Sequence, residues 1–90
     1  MTIDELKAHF TRHLLRHDRG VHPDDLVRQV EESAGPVDDC NRHLMHSWIA
    51  SLHAAGNLNR ADDWVNLSED GRIALLRSME RSDLNFLPPF

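Results

Sequence analysis

Three histidines, His9, His13 and His17, recur every four residues near the start of the chain, and His22 follows soon after. Side chains four apart on a helix point the same way, so imidazoles at this spacing could share a zinc or nickel ion. Zinc sites usually draw their ligands from more than one element, however. No carboxylate joins the rings except Asp18, which faces elsewhere. At about 100° per residue the rings drift along the edge of an apolar stripe, and His17 falls nearly on its axis. A partly packed, pH-sensitive or polar-interface flank is the stronger reading, with a metal site or plain surface as the alternatives. Histidine charges near pH 6.5, which would turn this stripe strongly positive.

Cys40 and His43 form the second pair with possible chemistry. A helix N-terminus would lower the thiol pKa, the first requirement for a nucleophile. The two residues are only three apart on one helix, with no third group to orient them, so a small buried thiol is the ordinary reading of Cys40. The chain has no glycine-rich phosphate loop and no HExxH, and its carboxylates are scattered through caps and exposed faces. Neither enzymatic activity nor a cofactor or metal is expected.

The elements that position these residues follow from periodicity. Ile3, Leu6, Phe10 and Leu14 predict a helix over 2–18, with Asp4 and Glu5 in its first turn and Gly20 after it. Pro23, Asp24 and Asp25 open a second helix with Leu26, Val27 and Val30 on its buried side. Val21 is placed to staple onto Leu26, and "SAGP" (33–36) closes the helix. Asp38 or Asp39 caps a third, whose apolar positions are Cys40, Leu44, Met45, Trp48, Ile49 and Leu52; Gly56 stops it. Around the turn "ADD", "LNR" (58–60) and "WVNL" (64–67) read as strands with Val65 and Leu67 on one face. Ser68 caps a last helix carrying Ile73, Leu76 and Met79, which Pro88-Pro89 cannot extend.

Ninety residues make one domain, and a composition 40% hydrophobic and 28% charged is that of a globular chain rather than a disordered one. No apolar run approaches the roughly 20 residues that span a bilayer, "MTIDELKAHF" lacks a signal-peptide pattern, and the single cysteine cannot form an internal disulfide. A cytoplasmic setting without membrane contact is the expectation. The net charge of −5 argues against indiscriminate binding to nucleic acid. A secondary basic face is expected only from Lys7, Arg12, Arg16 and Arg19, on the first helix and the loop after it.

The order helix, helix, helix, hairpin, helix resembles the winged helix-turn-helix family. "WIASLHAAGNLNR" (48–60) is similar to the family's recognition-helix ending and first wing strand. "VNLSEDGRIALLRSM" (65–79) is similar to its second wing strand and Ser-capped helix, and "GVHPDDLVRQV" (20–30) to its lead-in and second helix. The resemblance implies a mainly α fold with a small β-hairpin: three helices, a two-stranded wing and a C-terminal helix over 1–82. An apolar tail, 83–90, remains. It either packs on the domain, the better reading for so small a core, or stays open as a homodimerisation element.

The family's members mostly bind DNA, the third helix entering the major groove and the wing touching backbone. Carried over, that places Asn41, Arg42, His43, His46 and Ser47 on the exposed side of the helix and Arg60 on the first wing strand. This chain departs from the pattern at Asp38 and Asp39, where the helix would approach phosphate, and at the wing tip, Asp62 and Asp63. Over 37–67 two arginines face four aspartates, which forfeits the phosphate term of affinity. Capping accounts for Asp38 and Asp39 with Arg42 as a solvated side chain; alternatively Asn41 and Arg42 read adenine or guanine edges. Two functions are therefore expected: a DNA-binding transcriptional regulator, as the resemblance implies, or an acidic module that binds a basic protein, such as a complex subunit or a phage- or plasmid-type inhibitor of a nucleic-acid-binding groove.

Overall fold

Each helix begins where a side chain answers the unpaired amides of a first turn. A computed structural model describes residues 2–17, 19–81 and 86–87. Helix α1 (Ile3–Arg16) is capped by Thr2, whose Oγ1 accepts from the Glu5 amide at 3.1 Å. Helix α2 (Pro23–Ala34) uses His22, whose Nδ1 accepts from the Asp24 amide at 3.2 Å. Asp38, not Asp39, caps α3 (Asp39–Ala54) by accepting from the Asn41 amide at 2.8 Å. Ser68 caps α4 (Glu69–Glu80) and also donates to the Gly56 carbonyl at 2.7 Å. The α1 helix is shorter than the sequence predicts, because Thr2 caps it and His17 leaves helical geometry at its end. Asp18, which the sequence reading sets apart from the histidines, lies outside the described residues.

Strands β1 (Leu58–Ala61) and β2 (Trp64–Leu67) pair antiparallel, with Leu58 opposite Leu67 and Ala61 opposite Trp64. A two-residue loop joins them, and Asp62 sits at φ 55°, a left-handed conformation that aspartate tolerates better than most residues. Gly56, at φ 81°, makes the turn from α3 into β1. On the far edge of β2, Val21 and Val65 exchange two backbone hydrogen bonds of 2.9 Å. The lead-in to α2 is thereby tied to the hairpin, and Val21 joins Leu26 in the core.

The core gathers one stripe from every element. Leu6, Phe10 and Leu14 of α1 meet Leu26, Val27 and Val30 of α2 and Met45, Trp48, Ile49 and Leu52 of α3. Leu58, Val65 and Leu67 close it beneath the hairpin, and Leu75 and Leu87 complete it. Phe10 and Trp48 meet edge to face, ring centres 5.3 Å apart at 67°. Leu87 is buried and Phe86 packs on the core, so this part of the tail folds back; Leu84 and Phe90 lie outside the described residues.

Two faces differ from the sequence reading. Ile73, Leu76 and Met79 are 43, 44 and 54% exposed, and α4 buries Gly71, Leu75 and Ser78 instead. The reason is the docking distance. The start of α4 lies so close to the Asn57 backbone that only glycine fits at 71, which turns the small side of the helix inward. Cys40 is exposed as well, because nothing packs over the first turn of α3 on that side. The expected buried thiol is thus on the surface.

Candidate functional site

The outward side of α2 and the first half of α3 flank an open groove of about 330 Å³, lined by Asp24, Val27, Arg28, Glu31, Arg42 and His46. Val27, Arg28 and Glu31 project from α2 at spacings of one turn or less, and Arg42 and His46 at one turn from α3, so two helix faces converge on it.

Arg42 is the centre of the groove's charge. Its Nε–H donates to Glu31 Oε1 at 2.7 Å, and its Nη1 donates to Asp39 Oδ1 at 2.7 Å. The Glu31 hydrogen bond first, then the Glu31 charge and the nearby Asp39, raise the guanidinium pKa above its already high ordinary value. The expected solvated arginine is thus half-exposed and clamped between two carboxylates. A base edge would have to compete with both partners for those donors. Arg28 is likewise paired, with Asp25 at 2.7 Å. His46 Nε2 lies 3.7 Å from Asp24 Oδ1. His22 Nδ1 is 3.9 Å from Asp24 Oδ2, but that nitrogen already accepts a backbone hydrogen, so the contact is not an ion pair. Between residues 24 and 42 six carboxylates face two guanidinium groups, an excess of four negative charges.

The other predicted positions are distributed around this groove. His43 and Ser47 are exposed on α3, while Asn41 and His46 are half-buried. Asp62 and Asp63 are exposed at the hairpin tip, and Arg60 is exposed on β1. Arg60 is opposite Val65 in the ladder and so shares its face, whereas Trp64, 54% exposed, stands on the other face beside Gly20. Arg12, Arg16 and Arg19 are exposed, but Lys7 is five residues from Arg12, roughly 140° around the helix, and does not extend their face. Asp24, Arg28 and Glu31 were legible as the outward i, i+4, i+7 stripe of α2; their convergence with Arg42 was not, since it depends on how α2 and α3 cross.

His9 on α1 and His17 at its end both meet α2. His9 Nδ1 lies 3.5 Å from Ser33 Oγ, and His17 Nε2 lies 2.7 Å from Gln29 Oε1. His13, between them, is the buried one at 8% exposure; the expected placement of His17 on the stripe axis fails because the chain leaves the helix there. Among the described residues no three histidine, cysteine or carboxylate side chains are grouped to hold a metal ion. Burial, followed by the charges of Arg16, His17, His9 and Arg12, lowers the His13 pKa. Every cause acting on His13, burial and the neighbouring positive charges alike, opposes its protonation.

The sign of the resulting pH dependence follows. A histidine whose folded pKa lies below its ordinary value of about 6.5 binds fewer protons folded than unfolded, so stability falls as pH drops below that value. Thermal midpoints should therefore be lower at about pH 5.5 than at about pH 7.5, and His13→Gln should flatten the difference. An unchanged pH slope in that variant would show that His13 does not carry the effect.

No helix among the described residues is long and apolar enough to cross a membrane. Comparison of the chain with models of known families, with curated proteins and with solved structures returns no match.

Proposed function

We propose that the chain is a non-catalytic winged-helix binding module whose α2–α3 groove and wing tip engage a basic protein surface. The element order, with a hairpin tied back to the helices through Val21 and Val65, supports the winged-helix reading. The observation that carries the choice of partner is the state of Arg42. The arginine that would read DNA from α3 is held by Glu31 and Asp39, within a stretch of excess negative charge. Nucleic-acid affinity rests largely on neutralising phosphate, and this surface offers it little. A lysine- or arginine-rich partner finds there Val27 as an apolar floor and Asp24 and Glu31 on the wall, with further exposed carboxylates at Asp38, Asp39, Asp62 and Asp63.

A DNA-binding regulator is the second reading, favoured by the family resemblance and by exposed Arg12, Arg16 and Arg19. Fluorescence anisotropy with a lysine-rich peptide and with a duplex of about 30 base pairs separates the two at about 50 mM salt, where non-specific DNA binding is strong. The peptide should bind and the duplex should not. Asp62→Asn with Asp63→Lys, asparagine being chosen because it also tolerates the left-handed turn, should weaken peptide binding about tenfold. Reversing Glu69 and Asp70 on α4 should leave it unchanged. Salt-sensitive duplex binding with a silent peptide would instead favour the regulator.

A further inference from the structure

The α2–α3 groove already holds a basic side chain, and it is the chain's own. Arg42 commits two edges of its guanidinium there, Nε–H to Glu31 Oε1 and Nη1 to Asp39 Oδ1, each at 2.7 Å. The two acceptors belong to different helices, and both stand on fixed backbone. Glu31 follows Val30, which is wholly buried, and Asp39 follows Asp38, which caps α3. Removing Arg42 therefore leaves the two carboxylates where they are. A planar guanidinium fork can bridge two carboxylates at once, whereas an ammonium is a single point charge.

We propose that Arg42 is an internal competitor: it rests in the seat that an arginine of the partner takes, and the partner's arginine enters by displacing it. This rests on the reading of the groove as a site for a basic protein, and adds to that reading a preferred residue and a resting state. The exchange is open because Arg42 and Asp39 are both solvent-accessible, and ion pairs of that kind are individually weak. Val27 lines the same groove and offers an apolar surface to the aliphatic stem of an incoming arginine. A seat that is filled most of the time lowers apparent affinity by the fraction that stands open. Deleting the competitor therefore tightens binding. Loss of any positive charge acts in the same direction, so Arg28, which lines the groove but pairs with Asp25, provides the comparison.

Fluorescence anisotropy with two peptides of equal length and charge, one arginine-rich and one lysine-rich, tests this. Arg42→Ala should bind the arginine peptide about tenfold more tightly than the parent, and the lysine peptide less than about threefold more tightly. Arg28→Ala should change both affinities by less than about threefold. Adding Glu31→Gln to Arg42→Ala should remove the gain for arginine. In the parent, the NMR signal of the Arg42 Nε–H should shift as the arginine peptide is added, because that hydrogen loses its acceptor. Equal gains for the two peptides, or from the two arginine substitutions, overturn the proposal and leave a general charge effect, with the reading of the groove intact. An Arg42 Nε–H signal that stays fixed while the arginine peptide saturates the protein overturns it in the same way. Failure of both peptides to bind either the parent or Arg42→Ala overturns the proposal together with the reading on which it rests.

Discussion

Gly71→Ala is expected to lower the thermal midpoint by roughly 10–25 °C, from a loss of about 3 kcal/mol at 4–8 °C per kcal/mol. In an ordinary helix interior the same change would stabilise by up to about 1 kcal/mol, since glycine is the poorer helix former. Here an added Cβ would overlap the Asn57 carbonyl oxygen and lie 2.8 Å from its carbon and 2.9 Å from its Cα. All three are backbone atoms, so no side chain can swing aside. Nor can the segment move freely: the Asn57 carbonyl accepts from the Ser68 amide at 3.0 Å, and the Asn57 amide donates to the Leu52 carbonyl at 2.9 Å. Shifting α4 instead would strain the cap, in which Ser68 Oγ accepts from the Gly71 amide at 3.0 Å. Overpacking typically costs about 1–3 kcal/mol and loss of a cap about 1, against a total stability of roughly 5–13 kcal/mol for a chain of this length. Ala74→Gly on the same helix is the control and should cost only about 1 kcal/mol. A Gly71→Ala protein melting at or above the parent would refute this close approach.

Trp48→Ala should cost about 3–5 kcal/mol in denaturant unfolding, whereas Trp48→Phe should cost less than about 1.5 kcal/mol. Trp48 is wholly buried at the middle of α3 and holds the edge-to-face contact with Phe10 that joins α3 to α1. Truncation to alanine removes that contact and opens a cavity among Leu6, Leu26 and Met45, which pack in the same core. The indole Nε1–H, however, has no acceptor among the described residues. Leaving a buried donor unsatisfied costs about 1–3 kcal/mol, and phenylalanine removes the donor along with part of the ring. Alanine removes the same donor, but the packing it loses is far larger than that gain, whereas in the phenylalanine variant the two nearly balance. A loss of about 3 kcal/mol or more for Trp48→Phe would mean that removing the indole N–H brings no relief and that the nitrogen has a partner. Trp48→Phe also leaves Trp64 as the sole indole, so its emission should be that of a half-exposed ring.

Much of the architecture was legible in the sequence because its causes are local. Ser68 and Asp38 act on amides three residues away, and the alternation of Val65 and Leu67 reports one side of a strand whatever lies beyond it. The face that α4 buries was not legible. Ile73, Leu76 and Met79 have the spacing of a core stripe, and only the approach of Asn57, fourteen residues before Gly71, decides against it. Cys40 illustrates the same limit at the start of α3, where periodicity continues past the point at which neighbours end. Within the candidate site, the aspartates at the hairpin tip could be read directly from their turn. The clamp on Arg42 could be read only in half: Asp39 is three residues away on the same helix, but Glu31 belongs to α2.

The backbone exchange between Val21 and Val65 joins positions 44 residues apart. Such a closure costs chain entropy that grows slowly with length and must be spent before the contact returns anything. The α3–β1 turn and the hairpin itself close over short separations, so they can form early, while the bridge waits until α1, α2 and α3 have met. A two-stranded hairpin alone is marginal in water. The hairpin therefore owes its persistence to a contact that exists only when the rest of the chain is folded, and the aspartates at its tip are presented as a surface only by the completed domain.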